Sequence, residues 1–597
     1  LQDIDEQNRE YAHRFLQCVA VASRPLRVEE LAEFFAFDFN AGTVPPFLAD
    51  WRPEDPRDAV LSTCSSLLSI VTVRDSQIIE FSHFSVKEYL ISARLAKAED
   101  SISRYHVSMT PAHTMVAQAC LGALLHLDEN VDSDTLKSFP LVGYASQHLA
   151  DHTRFEGVSP MMQDGMKRLF DPGKPHFSVW VRVWAYDPMS AFLPMPPPFM
   201  SLPRRASLHY AAFYDLIDIV KFLVIERSQG VNGHTVVGKL TPLHVTSSVR
   251  VAQLLLELGA DVTAQDELKR TPLHLASDQG TVEVIRSLLE HGADVTSLDI
   301  DKQTPLHRAS RQAEPKVAEL LLKHGADATA RDRYQITPLH WVWNTQIAQL
   351  LLDHGADATA RDENLRTPLH NISLSPRKNA EIVQLLLGCG AGATAQDKHK
   401  RTPLHGARSS QVTHLLLKHG ADATARDEDQ RTPLHFIVGF PPEDVKVAQL
   451  LLERGADATA QDKHKRTPLH AARGVEVLRL LLKNGADATA QDEDGRTPLH
   501  TIQAFFHGDG AKAAQLLLDC GADATAQDKR KRTPLHEART VQVAQLLLEH
   551  GADATARDED QRTPLHNMPA FQSEDVKVAQ LLLERDADAT AQDKHKR

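Results

Sequence analysis

From Ala206 onward, apolar and polar positions recur in one fixed order. A Thr-Pro-Leu-His string opens each unit, a run of the Val-Ala-Gln-Leu-Leu-Leu type follows, and Gly-Ala-Asp leads into a charged stretch. TPLH occurs eleven times, starting at Thr241, Thr271, Thr304, Thr337, Thr367, Thr402, Thr432, Thr467, Thr497, Thr533 and Thr563. The weaker Ala206-Ser-Leu-His209 precedes the first by 35 residues, which makes about twelve units. Thr suits a helix N-cap, and Pro the first helical position, where its missing N–H costs nothing. Leu points into the core. His is able to bond nearby hydroxyl or backbone groups and so tie one unit to the next. The leucine-rich run is the apolar face of a second helix. Gly follows it at a left-handed cap, and the polar tail suits an exposed turn. One such unit cannot bury its own apolar face, whereas a stack of them can. The pattern therefore predicts a mainly α solenoid over residues 206–597, with its last unit uncapped and prone to fray.

The motif and its spacing resemble the ankyrin repeat, and the resemblance covers residues 206–597. It implies binding of protein partners through a groove. The unit length departs from the usual one. From Thr337 the spacings run 30, 35, 30, 35, 30, 36 and 30, so the genetic unit is a pair of repeats. Short members are expected to have a first helix clipped by nearly one turn, and long members an extended inter-helix loop. Units 432–466 and 563–597 differ at seven of 35 positions, six of them within Phe436–Pro442 and its counterpart Asn567–Ser573. Diversified recognition and drift in a tolerant loop both account for that. The candidate contact residues are Trp341, Trp343, Phe436, Ile437, Phe440, Phe505, Phe506, Asn567, Met568 and Phe571. Basic tips such as Asp397–Arg401 alternate with acidic ones such as Arg426–Gln430, giving weak attraction across about 10 Å and support for the register.

Residues 1–100 follow other periods. Tyr11–Ala22, Val28–Phe35 and Asp58–Leu68 have helical spacing. Ser69–Arg74 and Gln77–Ser82 alternate like two strands around an Asp75-Ser76 turn, and helix resumes after them. Three helices and a two-stranded wing make a winged-helix pattern. Residues 101–185 are expected to be helical. Residues 186–205 hold six prolines and are expected to form a semi-stiff linker. The segments SRPLRVEELAEFF, DWRPED (Asp50–Asp55), FSHFSVKEYL (Phe81–Leu90) and Ala112–Leu125 resemble fungal NACHT–ankyrin proteins, receptors of the STAND, NLR-like class. That resemblance covers about residues 1–185. It implies a segment joining an upstream NTPase switch to a downstream repeat sensor.

Composition narrows the function. The chain carries a net charge of −13, and residues 1–100 hold 10 Lys and Arg against 17 Asp and Glu. A DNA reader needs a basic footprint, so the winged helix is expected to pack rather than bind nucleic acid. Five scattered cysteines, Cys18, Cys64, Cys120, Cys389 and Cys520, read as reduced thiols of a cytoplasmic protein. No stretch is apolar for long enough to span a bilayer. The repeated histidines lie too far apart to share a metal ion. Gly233–Leu240 imitates a P-loop, but Leu240 stands where a hydroxyl is needed, and it reads as a repeat-tip turn. No catalytic group, cofactor site or small-molecule site is expected. The start at Leu1 without Met, and the stop at Arg597 where another repeat would begin, read as a piece of a longer protein. Two further readings stay open at this level: a plain ankyrin adaptor with no switch, and part of a nucleotide hydrolase.

Overall fold

The computed structural model describes residues 9–64, 67–73, 76–98, 100–129, 131–132, 137–186, 206–373, 380–437, 439, 443–504, 509–567 and 573–595. The chain divides into two compact units, Leu1–Ile300 and Asp301–Arg597.

The first unit begins with the winged helix. Helices Arg9–Val21, Val28–Ala32 and Pro56–Cys64 surround a small antiparallel sheet. Two of its strands, β2 (Leu68–Val73) and β3 (Ser76–Phe81), are the expected wing, paired Leu68 to Phe81 and Ile70 to Ile79. The turn residues Arg74 and Asp75 lie outside the described residues. The sequence pattern missed β1 (Leu26–Arg27), which pairs with the other edge of β3. Two residues are too few to show a period. The helix expected over Val28–Phe35 is regular only to Ala32 and continues as one 3₁₀ turn, Glu33–Ala36.

The segments that carry the NACHT–ankyrin resemblance form buried ion pairs. Glu30 is fully buried and accepts a fork from Arg24 at 2.8 and 2.6 Å. Arg24 also lies over the Tyr144 ring at 5.0 Å. Glu33 pairs with Arg52 and accepts the Leu141 N–H at 2.7 Å, at the start of helix Pro140–Thr153. Arg52 itself lies over Phe47 and Phe139, 4.8 Å from each ring. Glu33, and the Arg24 and Arg52 guanidiniums held by these acids, thus join the winged helix to the helices after it. A histidine chain does the same: the Ser23 N–H reaches the Tyr144 hydroxyl, which meets His152 Nε2 at 2.8 Å, and His152 Nδ1 meets His113 Nδ1 at 2.8 Å. Burial pushes the His152 imidazole down to about 3, so it stays neutral.

Helices Met109–His126, Pro140–Thr153, Ser159–Phe170 and His176–Tyr186 form the helical region. The segment 187–205, which holds all six prolines of the expected linker, lies outside the described residues. Its two flanks touch each other. Phe177 and Trp180 lie 5.2 and 5.8 Å from Tyr210 of the first repeat. Gln163 bonds Asp218 at 3.1 Å, Lys167 pairs with Glu226 at 2.7 Å, and Arg227 with Asp171 at 2.6 Å. The helical region thereby covers the apolar face of the first repeat, the role of a solenoid cap.

Each repeat has a one- or two-turn first helix and a second helix of about nine residues, as in Pro272–Gln279 and Val282–Glu290. First helices of short units are clipped as expected, four residues at Pro338–Trp341, Pro468–Ala471 and Pro534–Glu537 against eight at Pro272–Gln279, six at Pro368–Ser373 and seven at Pro498–Ala504, but the long unit at Thr432 departs from the contrast. Pro403–Gly406 in a short unit and Pro433–Phe436 in a long one both span four residues, the latter as 3₁₀. In the unit at Thr432 the extra residues enter after that turn. The segments 374–379, 440–442, 505–508 and 568–572 lie outside the described residues. In the last helix, Ser573–Glu584, Val576 and Leu583 are exposed.

Candidate interaction surface

The repeat motif builds a rigid backbone first. His244 Nδ1 accepts the Thr241 N–H at 3.1 Å and meets the Thr241 hydroxyl at 2.8 Å, the reciprocal logic of a capping box with His in the third helical position. With Nδ1 occupied as an acceptor, Nε2 carries the proton. It donates to the carbonyl of Arg270, the residue before the next Thr, at 2.9 Å. The same bond recurs for His307, His340, His370, His405, His435, His470, His500 and His536. Burial holds these imidazoles below the usual range, as at His340 and His435. The histidine is therefore the clamp between repeats, as its spacing suggested.

The tips add two devices. The Asp of Gly-Ala-Asp accepts the N–H and hydroxyl of the Thr two residues on, as Asp457 does from Thr459 at 2.8 and 2.7 Å. A second, buried Asp folds the tip: Asp427 Oδ1 accepts from Asp429 N and Arg431 N. Neighbouring tips are then joined by one main-chain bond each, as from Lys463 N to Asp429 O and from Glu493 N to His464 O, both 2.8 Å. The alternating tip charges do more than attract at a distance. Lys463 pairs with Asp429 at 2.6 Å and His464 with Glu493 at 2.9 Å. The P-loop look-alike is one of these tips: Gly238 and Lys239 both have positive φ, and the Gly238 carbonyl accepts the Glu267 N–H.

On this frame, within the second unit, the residue after each TPLH forms a half-buried column: Arg308, Trp341, Asn371, Gly406, Phe436, Ala471, Thr501, Glu537 and Asn567. Beside it runs a row of arginines, among them Arg366, Arg401, Arg431, Arg496, Arg532 and Arg562. Trp341 carries Arg311 over its ring at 5.1 Å. Phe436 lies between Arg401 at 5.5 Å and Arg431 at 4.9 Å, with His405 edge-on at 5.8 Å. Trp343 is 39% exposed. Asn567 is half-buried. Ile437 is different. It is 3% exposed and belongs to the core, as do Ala276, Val342, Ile372 and Ile502 at the same position of their repeats. Phe440, Phe505, Phe506, Met568 and Phe571 lie outside the described residues.

The arginines of the short units escaped the sequence reading. Arg408 donates to the Phe436 carbonyl, and Arg539 Nη1 to the Asn567 carbonyl at 2.6 Å. Each stitches the end of a short unit to the first turn of the next long one. The signal was present as the recurring His-x-Ala-Arg at His405, His470 and His536, six residues after the opening Thr.

Among the described residues, no group of three or more His, Cys, Asp or Glu is placed to hold a metal ion. No helix among them is long and apolar enough to cross a membrane.

Comparisons with known proteins agree with this geometry. The model of ankyrin repeats (3 copies) matches residues 208–299, 243–332, 369–462, 443–512 and 501–593, and the single ankyrin repeat matches 334–363. Residues 3–102 match the winged helix domain of GPI inositol-deacylase. A curated relative, azaphilone pigments biosynthesis cluster protein L of Monascus ruber, is 30% identical over 200 residues. That match covers 32% of this chain and 41% of the relative, so the chain spans less than half the relative's length. The ankyrin repeat domain of Bcl-3, a member of the IkappaB protein family, is 28% identical, with a TM-score of 0.29 over 35% of this chain and 97% of that one. With matched segments that cover more than half of its length, the chain belongs to the ankyrin-repeat family, a family of protein-binding scaffolds, and carries a winged-helix domain at its N-terminus.

Proposed function

We propose that this chain is the partner-sensing part of a fungal NLR-like receptor of the STAND class, in which the repeats bind a protein and the winged helix passes that event to an NTPase module. The observation that carries this reading is the packed continuity of the first unit. The Leu141 N–H bond to Glu33, Arg24 over the Tyr144 ring and Arg52 over the Phe139 ring join the winged helix to the helical region, and the Phe177–Trp180–Tyr210 contacts join that region to the first repeat. A flexible tether would pass no strain between the two ends, whereas packed interfaces are bistable elements able to do so. The match of residues 3–102 and the fungal relative favour the same reading. The partner enters through the column of residues after each TPLH, in the cytoplasm, and no chemistry is done by this chain.

The test is to sequence the transcript upstream of Leu1 and assay the protein it encodes. An in-frame G-x-x-x-x-G-K-[S/T] module, whose ATP hydrolysis changes when the repeats bind their partner, is the expected result. A transcript with no such module leaves a plain ankyrin adaptor. ATP hydrolysis by residues 1–597 alone would make the chain an enzyme and overturn the assignment.

A further inference from the structure

The column after TPLH is interrupted at Gly406. Its neighbours in the column are Asn371 and Phe436, so the missing side chain leaves a notch. Its surroundings are unusual in a chain of net charge −13. Three guanidinium groups line the cleft, those of Arg366, Arg401 and Arg408, against the one carboxylate of Asp397. That Asp397 side chain is buried and lies 3.7 Å from Arg366 Nε. Arg401 approaches its own carboxylate, Asp427, only to 3.5 Å, and its Nε is buried without a hydrogen bond. Phe436 forms one wall, with Arg401 over its ring. His370 and His405 complete the lining and are neutral, their ring nitrogens bonded to Thr and to backbone. With Asp397 beside Arg366 and Asp427 beside Arg401, the notch has an excess of one positive charge, that of Arg408, which also donates to the Phe436 carbonyl, and one apolar wall.

We propose that the Gly406 notch is a subsite for a carboxylate side chain, and that it selects an extended acidic segment of the protein partner. A carboxylate accepts the two parallel N–H bonds of a guanidinium, a match that neutral or basic side chains lack. A half-buried cleft strengthens that attraction over what bulk water allows. This inference rests on reading the repeats as a protein-binding scaffold.

The experiment uses the full 597-residue chain. Fluorescein-labelled oligo-glutamate is titrated by fluorescence polarisation, with oligo-aspartate, oligo-lysine and a phosphoserine peptide as competitors. Gly406→Phe closes the notch with a side chain that the same repeat position holds at Phe436. It is expected to weaken oligo-glutamate binding about tenfold or more. Arg366→Gln is expected to weaken it as well, while Lys323→Gln, on an exposed outer helix, leaves it unchanged. Melting curves exclude loss of folding. Equal affinity for wild type and Gly406→Phe overturns the proposal, as does displacement by the phosphoserine peptide but not by oligo-aspartate. If the wild type ignores oligo-glutamate yet binds its protein partner, the notch fails and the scaffold stands. If it binds neither, both fail.

Discussion

At the scale of single residues, two backbone positions carry strain that the repeat motif normally avoids. The Gly after each second helix is left-handed, as at Gly455 with φ 85°, and open space surrounds it. Asp586 occupies the same place with φ 70°. A side chain there costs about 1 kcal/mol relative to Gly, a little less for Asp. Asp586→Gly is therefore expected to stabilise the last repeat by somewhat under ~1 kcal/mol, read as slower hydrogen exchange in helix Ser573–Glu584. The second position lies at the tips. Lys269, Leu365, Lys400, Gln430, Lys465 and Gln561 all have φ between 57° and 63°, and only in the tip at Gly495 does glycine hold the place. Leu365 is the least suited, being both left-handed and 41% exposed. Leu365→Gly is expected to raise stability by about 1 kcal/mol, measured by urea unfolding against wild type. An unchanged midpoint would mean that the tip-to-tip ladder absorbs the strain.

At the scale of the element, the one-turn first helix is too short to hold itself together. Its stability comes from the Thr–His cap at its start and from the clamp to the next tip. That makes the array sensitive to acid. In the unfolded chain these histidines protonate as the pH falls through about 6.5, while in the folded repeats burial delays protonation to lower pH. Between those limits the unfolded state binds more protons, so stability falls progressively as the pH drops through about 6.5. His209, pushed down to about 4, accounts for a loss of roughly 3 kcal/mol once both states have titrated. Melting temperatures are expected to fall from pH 7.5 to 6.5, where the unfolded histidines are already about half protonated, and by several degrees more at pH 5.5. His470→Gln, which keeps a donor but does not titrate, is expected to weaken the fold at neutral pH and to lessen the acid response. A flat profile down to pH 5 would show that these imidazoles protonate in place.

At the scale of the whole molecule, the divergence between sister repeats lies beside two main-chain stitches. The stitch from Arg408 reaches the Phe436 carbonyl, and the stitch from Arg539 reaches the Asn567 carbonyl. Both bonds are to main chain and indifferent to the side chain. The face can therefore vary while the frame holds. Replacing Phe436–Pro442 by the sequence of Asn567–Ser573, with Gly439 kept because its φ is 98° and a Cβ there would lie 2.7 Å from Gly474 N, is expected to change partner choice and leave the melting temperature within a few degrees. Pull-downs with both versions, with melting curves alongside, check this. Recovery of the same partners at the same strength would mark the patch as a tolerant loop. Aromatic anchors at such faces typically carry about 2 kcal/mol or more, so loss of the Phe436 ring should be visible in the affinity.

The sequence by itself determined the repeat and most of its internal chemistry. The eleven TPLH strings place the His clamp, the leucine face and the left-handed Gly at fixed offsets, because each of these acts within one unit or on its immediate neighbour. The same locality let the wing strands be read from their alternation. What the tertiary structure decided depends on residues far apart in the chain. Glu33 was legible as part of a helix, but its bond to Leu141 joins positions 108 residues apart and has no periodic signature. Ile437, grouped with the contact residues because of its neighbours in sequence, belongs to the core, as Ile372 and Ile502 do at the same position of their repeats. The Gly406 notch is likewise invisible in one repeat, since a gap exists only relative to the side chains stacked on either side of it. Local periodicity encodes the frame; the faces it presents are set by which repeats stand next to each other.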